Sequence, residues 1–242
     1  MVTKFLSAVA ALATLALYTA PAKADPIREI ALLIDSSGSI DSTNFDLQKN
    51  GYIAALTDLL TTGGQNAIGV WQFSTNGGIT TSIIETVFPM TTIASGTDKT
   101  NLLNAIGGML QIGNNTPIGD AIDVGAAALL AFLGDGASGV VKEIIDVSTD
   151  GANNFGVDPV TAALNAVAGG VDQVNCIGIG GAANCGFIAG AGSFTLSADS
   201  FEDFEAAIRL KLAQELQLPE PGSMALLGLG LAALGFARRR HS

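Results

Sequence analysis

The most constraining feature of this chain is a pair of strand-like runs, each of which opens into an acidic, hydroxyl-rich loop. Glu29 to Asp35 is apolar between its ends and leads into Asp35-Ser36-Ser37-Gly38-Ser39. Val140 to Ser148 leads into Ser148-Thr149-Asp150-Gly151. The first run does not alternate apolar with polar, which fits a strand buried on both faces and therefore a sheet covered by helices on each side. After Asp35, the residues Phe45, Tyr52, Ile53, Leu56 and Leu60 recur at helical spacing. Strand, loop and helix thus follow one another from the start.

The same alternation continues along the chain. Ala67 to Ser74 reads as a strand ending in a turn at Asn76-Gly77-Gly78, and Ser74-Thr75-Asn76 is assigned to that turn. Thr80 to Phe88 is rich in strand formers and is expected as an antiparallel edge strand. Helices are expected near Lys99 to Met109 and Ile118 to Leu133, a helix over Pro159 to Ala168, a strand over Gln173 to Ile179 and a short one over Phe194 to Leu196. A last helix is expected from Ser200, with Ser200 and Asp203 placed like a capping box and Phe201, Phe204, Ile208 and Leu212 on one face. This pattern predicts an α/β fold with a doubly wound, mostly parallel sheet and helices on both faces, because right-handed crossovers place the helices there. Ligands of such sheets sit outside the carboxyl ends of the strands.

Those ends carry oxygen ligands. Asp35, Ser37 and Ser39 follow the first strand, Asp150 follows a later one, and Thr116 lies in the polar loop Asn114-Asn115-Thr116-Pro117 that runs into a helix. Two carboxylates and three hydroxyls converging on one sheet edge suit a hard cation, Mg2+ first, with Mn2+ or Ca2+ possible. At these five positions the sequence resembles the von Willebrand factor type A domain and its metal-ion-dependent adhesion site, over most of Asp25 to Gln217. The resemblance implies direct metal contacts from Ser37 and Ser39, a state-dependent contact from Thr116, and mainly water-mediated contacts from Asp35 and Asp150. Neutral hydroxyls leave a dication under-neutralised, so an acidic group on a protein or extracellular matrix polymer can complete its coordination. The function expected is a secreted or surface-associated adhesion module, not an enzyme. The alternative is a metal-dependent hydrolase or phosphoryl-transfer enzyme using Asp35 and Asp150, but no Lys or Arg lies in the three site loops to clamp a phosphate.

Composition excludes other functions. Eleven basic against 22 acidic residues give a net charge of −11, which argues against nucleic-acid binding. The single histidine, His241, is one residue from the C-terminus, which removes Ser-His-Asp, Cys-His and His-ligated zinc chemistry from the domain. Gly178 to Ala183 matches a loose dinucleotide-binding spacing, but no helix pattern opens after it, and it reads as a tight loop. Asp120 and Asp123 are expected on a solvated helix face, and Lys142 at the strand end away from the site.

The ends of the chain read as targeting segments. Lys4, the apolar run from Phe5 to Leu17 and Ala22-Lys23-Ala24 form a signal peptide over residues 1–24. Residues 25–217 form the domain, and residues 218–242 contain Pro219-Glu220-Pro221, an apolar stretch from Met224 to Ala237 and Arg238-Arg239-Arg240. This tail resembles the PEP-CTERM sorting signal of Gram-negative bacteria. The resemblance implies processing by an exosortase-type enzyme, with the membrane engaged only through that transmembrane-helix segment before processing. The exported product then resides at the cell surface or in the extracellular matrix, after a periplasmic or inner-membrane intermediate. Export makes a Cys176–Cys185 disulfide the expected state of the two cysteines.

Overall fold

The computed structural model describes residues 28–77, 80–132 and 142–216. The expected signal peptide at 1–24, the tail at 218–242, Gly78 of the first turn and Val140 of the fourth strand pattern lie outside the described residues.

Six strands, β1 (Arg28–Asp35), β2 (Asn66–Thr75), β3 (Ser82–Thr92), β4 (Lys142–Thr149), β5 (Gln173–Ile179) and β6 (Thr195–Ala198), form one sheet in the order β3-β2-β1-β4-β5-β6. All pairings are parallel except β2 with β3, so the expected antiparallel edge strand is present. It runs to Thr92, four residues beyond the expected end. Among the described residues five helices accompany the sheet: α1 (Ser42–Leu59), α2 (Gly96–Gly107), α3 (Ile118–Ala131), α4 (Pro159–Gly169) and α5 (Phe204–Glu215). Among the described residues no helix is long and apolar enough to cross a membrane.

The central strand shows why the sheet is covered on both faces. Ile30, Leu32 and Ile34 of β1 join a core with Phe45, Tyr52 and Leu56 of α1, Leu102 and Ile106 of α2, and Phe204, Ile208 and Leu212 of α5. Ala31 and Leu33 point the other way, into a core with Ile118, Ile122 and Leu129 of α3 and Ala162, Ala163 and Ala166 of α4. Successive side chains of a strand alternate between faces, so an uninterrupted apolar run supplies both cores at once.

Local chemistry sets the helix ends. Asp41 caps α1 by accepting from the Asn44 N–H at 2.8 Å, and Asp158 caps α4 ahead of Pro159 in the first turn. The α2 helix starts at Gly96 rather than near Lys99, because Ser95 and Asp98 form a reciprocal capping box. The last helix starts at Phe204 rather than Ser200. Ser200 donates to Asp203 Oδ2 at 2.9 Å, which spends the hydroxyl on a side chain instead of the helix backbone, and Asp203 makes no side-chain cap bond. Cys176 of β5 and Cys185 of the following loop form a disulfide with their Cα atoms 5.7 Å apart. The Gly178 to Ala183 segment turns into an irregular loop with no helix, as its sequence implied.

Candidate metal centre

β1 and β4 are neighbours, with β2 and β3 on one side and β5 and β6 on the other. The direction of winding therefore reverses between them, and the crevice outside their carboxyl ends is where open α/β sheets place ligands. Asp35 ends β1, and Asp150 follows the last residue of β4.

A continuous hydrogen-bonded chain joins four of the five expected site residues. Asp35 Oδ1 accepts from the Ser37 N–H at 2.8 Å. The Ser37 and Ser39 hydroxyl oxygens are 3.2 Å apart, and the Ser39 hydroxyl donates to Asp150 Oδ1 at 2.6 Å. Asp35 Oδ2 accepts from the Thr149 hydroxyl at 2.6 Å, so the ends of β1 and β4 are also linked directly. Thr149 was visible in the sequence beside Asp150, but its role as the partner of a residue 114 positions away was not.

Thr116 belongs to the same edge through its backbone. Its N–H donates to Asn154 Oδ1 at 2.8 Å, and its carbonyl accepts from the Asn154 N–H at 3.2 Å. Asn153 Oδ1 accepts from the Gly119 N–H at 3.3 Å, at the start of α3, where Pro117 offers no side-chain cap. The loop after Asp150 thus holds the loop bearing Thr116. On the opposite flank, the Gly38 N–H donates to the Asn114 carbonyl at 2.7 Å and the Gly113 N–H to the Ser36 carbonyl at 2.8 Å. A Cβ at position 38 would lie 2.9 Å from the Asn114 nitrogen, so only glycine lets these two loops meet so closely.

Two sequence assignments need correction. Ser74 and Thr75 are buried at the end of β2, not in a turn. Thr75 Oγ1 accepts from the Asn115 N–H at 3.1 Å, and its carbonyl accepts from Asn114 Nδ2 at 3.1 Å, so β2 anchors the Thr116 loop. Asp120 is half-buried rather than solvated: its Oδ1 accepts from the Val157 N–H at 2.7 Å and its Oδ2 from the Ser82 hydroxyl. Asp123 is exposed as expected. Ser37 is fully buried, whereas Ser39 is exposed, so the two hydroxyls do not share one open loop environment.

The electrostatics of this edge favour a positive charge beside its two carboxyls. Asp35 is completely buried, and burial pushes its carboxyl up to about 6 against the lowering effect of its bonds from Thr149 and Ser37, with the charge of Asp150 adding to the rise. Burial also raises Asp150, opposed by the Ser39 bond. Neither carboxylate has an ion-pair partner among the described residues. Nor is there among them any cluster of three or more His, Cys, Asp or Glu that could hold a metal ion. A donor set of hydroxyls with two carboxylates behind them fits a hard, oxygen-loving cation that keeps part of its water.

A second group of buried charges lies away from this edge. Asp146 of β4, which its place inside a buried strand run marked as an edge or paired acid, is paired: it is 2.5 Å from Lys211 Nζ, which is also 2.6 Å from Glu215 Oε1. Asn175 Nδ2 donates to the same glutamate oxygen at 2.9 Å. All four residues are buried.

The six-stranded, mostly parallel sheet with helices on both faces is the von Willebrand factor type A fold, shared with solved proteins of matrix and adhesive type. Residues 27–220 match the family described as Protein of unknown function (DUF1194), to which the chain therefore belongs, and residues 217–240 match the PEP-CTERM protein-sorting motif. That motif indicates export in Gram-negative bacteria by the exosortase route. Proximal thread matrix protein 1 from the mussel byssus is 25% identical with a TM-score of 0.59, over 81% of this chain and 49% of that one. A further structure of that protein, with a zinc-occupied MIDAS motif, is 26% identical with a TM-score of 0.59, again over 81% and 49%. The open conformation of the pilus adhesin SpaC from Lactobacillus rhamnosus GG is 17% identical with a TM-score of 0.59, over 80% of this chain and 30% of that one, and shows likeness of fold alone. This chain spans about half the length of the mussel protein or less of its relatives. No curated protein matches the sequence.

Proposed function

We propose that residues 25–217 form an extracellular adhesion module in which Ser37, Ser39 and Thr116, backed by Asp35 and Asp150, hold a divalent cation that binds an acidic group of a protein or matrix partner. The observation that carries this reading is the chain of bonds from Asp35 through Ser37 and Ser39 to Asp150, built from neutral hydroxyls in front of carboxylates that have no cationic partner among the described residues. The zinc-occupied MIDAS motif of the mussel protein supports a divalent ion at such a site. Mg2+ is the cation favoured here, since a site with few charged inner ligands leaves it the waters it gives up reluctantly. When bound, the cation would supply a positive centre for the partner's acidic group, and Ser37, Ser39 and Thr116, backed by Asp35 and Asp150, would hold it.

The chemistry is that of binding. No Lys or Arg lies in the three site loops to stabilise a transferring phosphoryl group, and Lys142 starts β4 at the opposite end of the sheet, paired in register with Arg28. Export through residues 1–24, exosortase processing of residues 218–242 and residence at the surface or in the matrix complete the reading. Binding of the mature protein to its producer's extracellular matrix in Mg2+, lost in chelator, is the expected result. Binding unaffected by chelator would remove the metal from the function.

A further inference from the structure

A cleft of about 380 Å³ opens directly beside the candidate metal centre, and Asp150 forms part of both. Its walls include Asn44 at the start of α1, Gly180 after β5, and Ser200, Phe201 and Glu202 ahead of α5. It lies within the size range of about 300–1,000 Å³ typical of small-ligand sites. We propose that this cleft receives the sugar ring of a uronic acid whose carboxylate binds the cation, so that the partner of the module is an acidic saccharide. The inference rests on the metal reading above and specifies its ligand.

The lining selects this chemistry. None of the residues lining the cleft is basic, so a second anionic group on the ligand would go uncompensated there. Asp150 and Glu202, when ionised, only accept hydrogen bonds, and they call for a ligand rich in donors. Sugar hydroxyls donate and accept through the same atom, whereas a peptide offers one N–H per residue. Asn44 uses its backbone N–H in the α1 cap, and its carboxamide, which has no hydrogen-bond partner among the described residues, can meet a hydroxyl. Ser200 donates to Asp203, leaving its oxygen as an acceptor. The half-buried Phe201 packs against the core from this wall and supplies apolar surface for the C–H face of a ring. One carboxylate for the cation, several neutral hydroxyls for the cleft and no second charge describe a uronic acid better than a sulfated or phosphorylated sugar. The domain's acidic surface further favours a polymer in which uronate residues are separated by neutral ones.

The test is calorimetric titration of the exported chain in Mg2+. Its probes are a disaccharide of glucuronate linked to a neutral hexose, the methyl ester of that disaccharide, and a tripeptide with a central aspartate. The disaccharide is expected to bind at least about tenfold more tightly than the tripeptide, a difference of about 1.4 kcal/mol, and its ester not at all. Asn44→Ala and Phe201→Leu should each weaken the disaccharide several-fold while leaving Mg2+ affinity and tripeptide binding unchanged. Equal affinity for tripeptide and disaccharide, or wild-type disaccharide binding by both variants, would overturn the saccharide proposal and leave the metal site standing. Failure of the wild-type chain to bind Mg2+ would overturn both.

Discussion

The hydroxyl of Ser39 donates a 2.6 Å hydrogen bond to Oδ1 of Asp150, a residue 111 positions further along the chain. One bond thus joins the loop after β1 to the loop after β4 at the place where the winding of the sheet reverses. The same two oxygens are those proposed to face the cation. A cation held there would be carried by a hydroxyl and a carboxylate that the fold already brings within hydrogen-bond distance.

Replacing Ser37 and Ser39 together by alanine should abolish Mg2+ and Mn2+ binding in calorimetric titration. Asp150→Asn should weaken it by a smaller factor, about 10 to 100-fold, as expected for a group acting behind the direct ligands. Ser39 is exposed and its loss should alter stability by no more than about 0.5 kcal/mol. Ser37 is buried, so thermal unfolding of the double variant must be measured alongside. Wild-type-like metal binding by that variant would end the site assignment.

Asp35 ties stability to pH. Its carboxyl rises from 3.8 to about 6 on folding, so the folded chain binds the proton more tightly than the unfolded one. Its stabilising contribution is present below pH 3.8 and is lost as pH rises through about 6, with a total of up to about 3 kcal/mol. Urea unfolding of wild type and Asp35→Asn between pH 4 and 7, in chelator, should show the wild type losing stability relative to the variant as pH rises. Saturating Mg2+ should reverse the trend above pH 6 in the wild type only, since the ion binds the charged form.

Asn154 should act on the metal through Thr116. Asn154→Ala leaves the Thr116 N–H without its 2.8 Å acceptor, at a cost of about 1–3 kcal/mol if no water replaces it. Because Gly38 and Thr75 still hold the other flank of that loop, the fold should persist. Mg2+ affinity should fall, but by less than in the double serine variant. An unchanged affinity would show that Thr116 needs no support from the Asp150 loop.

Lys211→Met should be among the most damaging single changes, at about 3–5 kcal/mol, because Asp146 and Glu215 would remain buried without their cation. Burial and the charge of Asp146 already raise the Glu215 carboxyl, while Lys211 lowers it. Combining Lys211→Met with Asp146→Asn and Glu215→Gln should recover much of the loss. Denaturant unfolding of the single and triple variants checks both statements.

Processing is checked by intact mass. Protein recovered from the extracellular fraction should lack residues 1–24 and the apolar part of residues 218–242, and should contain no free thiol before reduction, given the Cys176–Cys185 bond. A mature product still ending at Ser242 would overturn the sorting proposal.

The sequence by itself determined the class of the sheet, though not the order of its strands. An apolar run such as Ile30 to Ile34 can be satisfied only where both strand faces are covered, and short connections with helical periodicity between such runs leave little choice but parallel strands with helices on each side. It also carried the residues of the proposed site, because acids and hydroxyls at strand ends are local features. What the tertiary structure decided is every relationship between the loops and the ends of the elements. Thr149 with Asp35, Asn154 with Thr116, Thr75 with Asn115 and Asp120 with Val157 each join residues far apart in sequence, and a polar side chain in a loop or at an element end carries no sign of which distant group it will meet. Lys211 is the sharpest case. Its helix shows a clear apolar face, and only the burial of Asp146 on the neighbouring sheet makes a lysine the residue that this face requires.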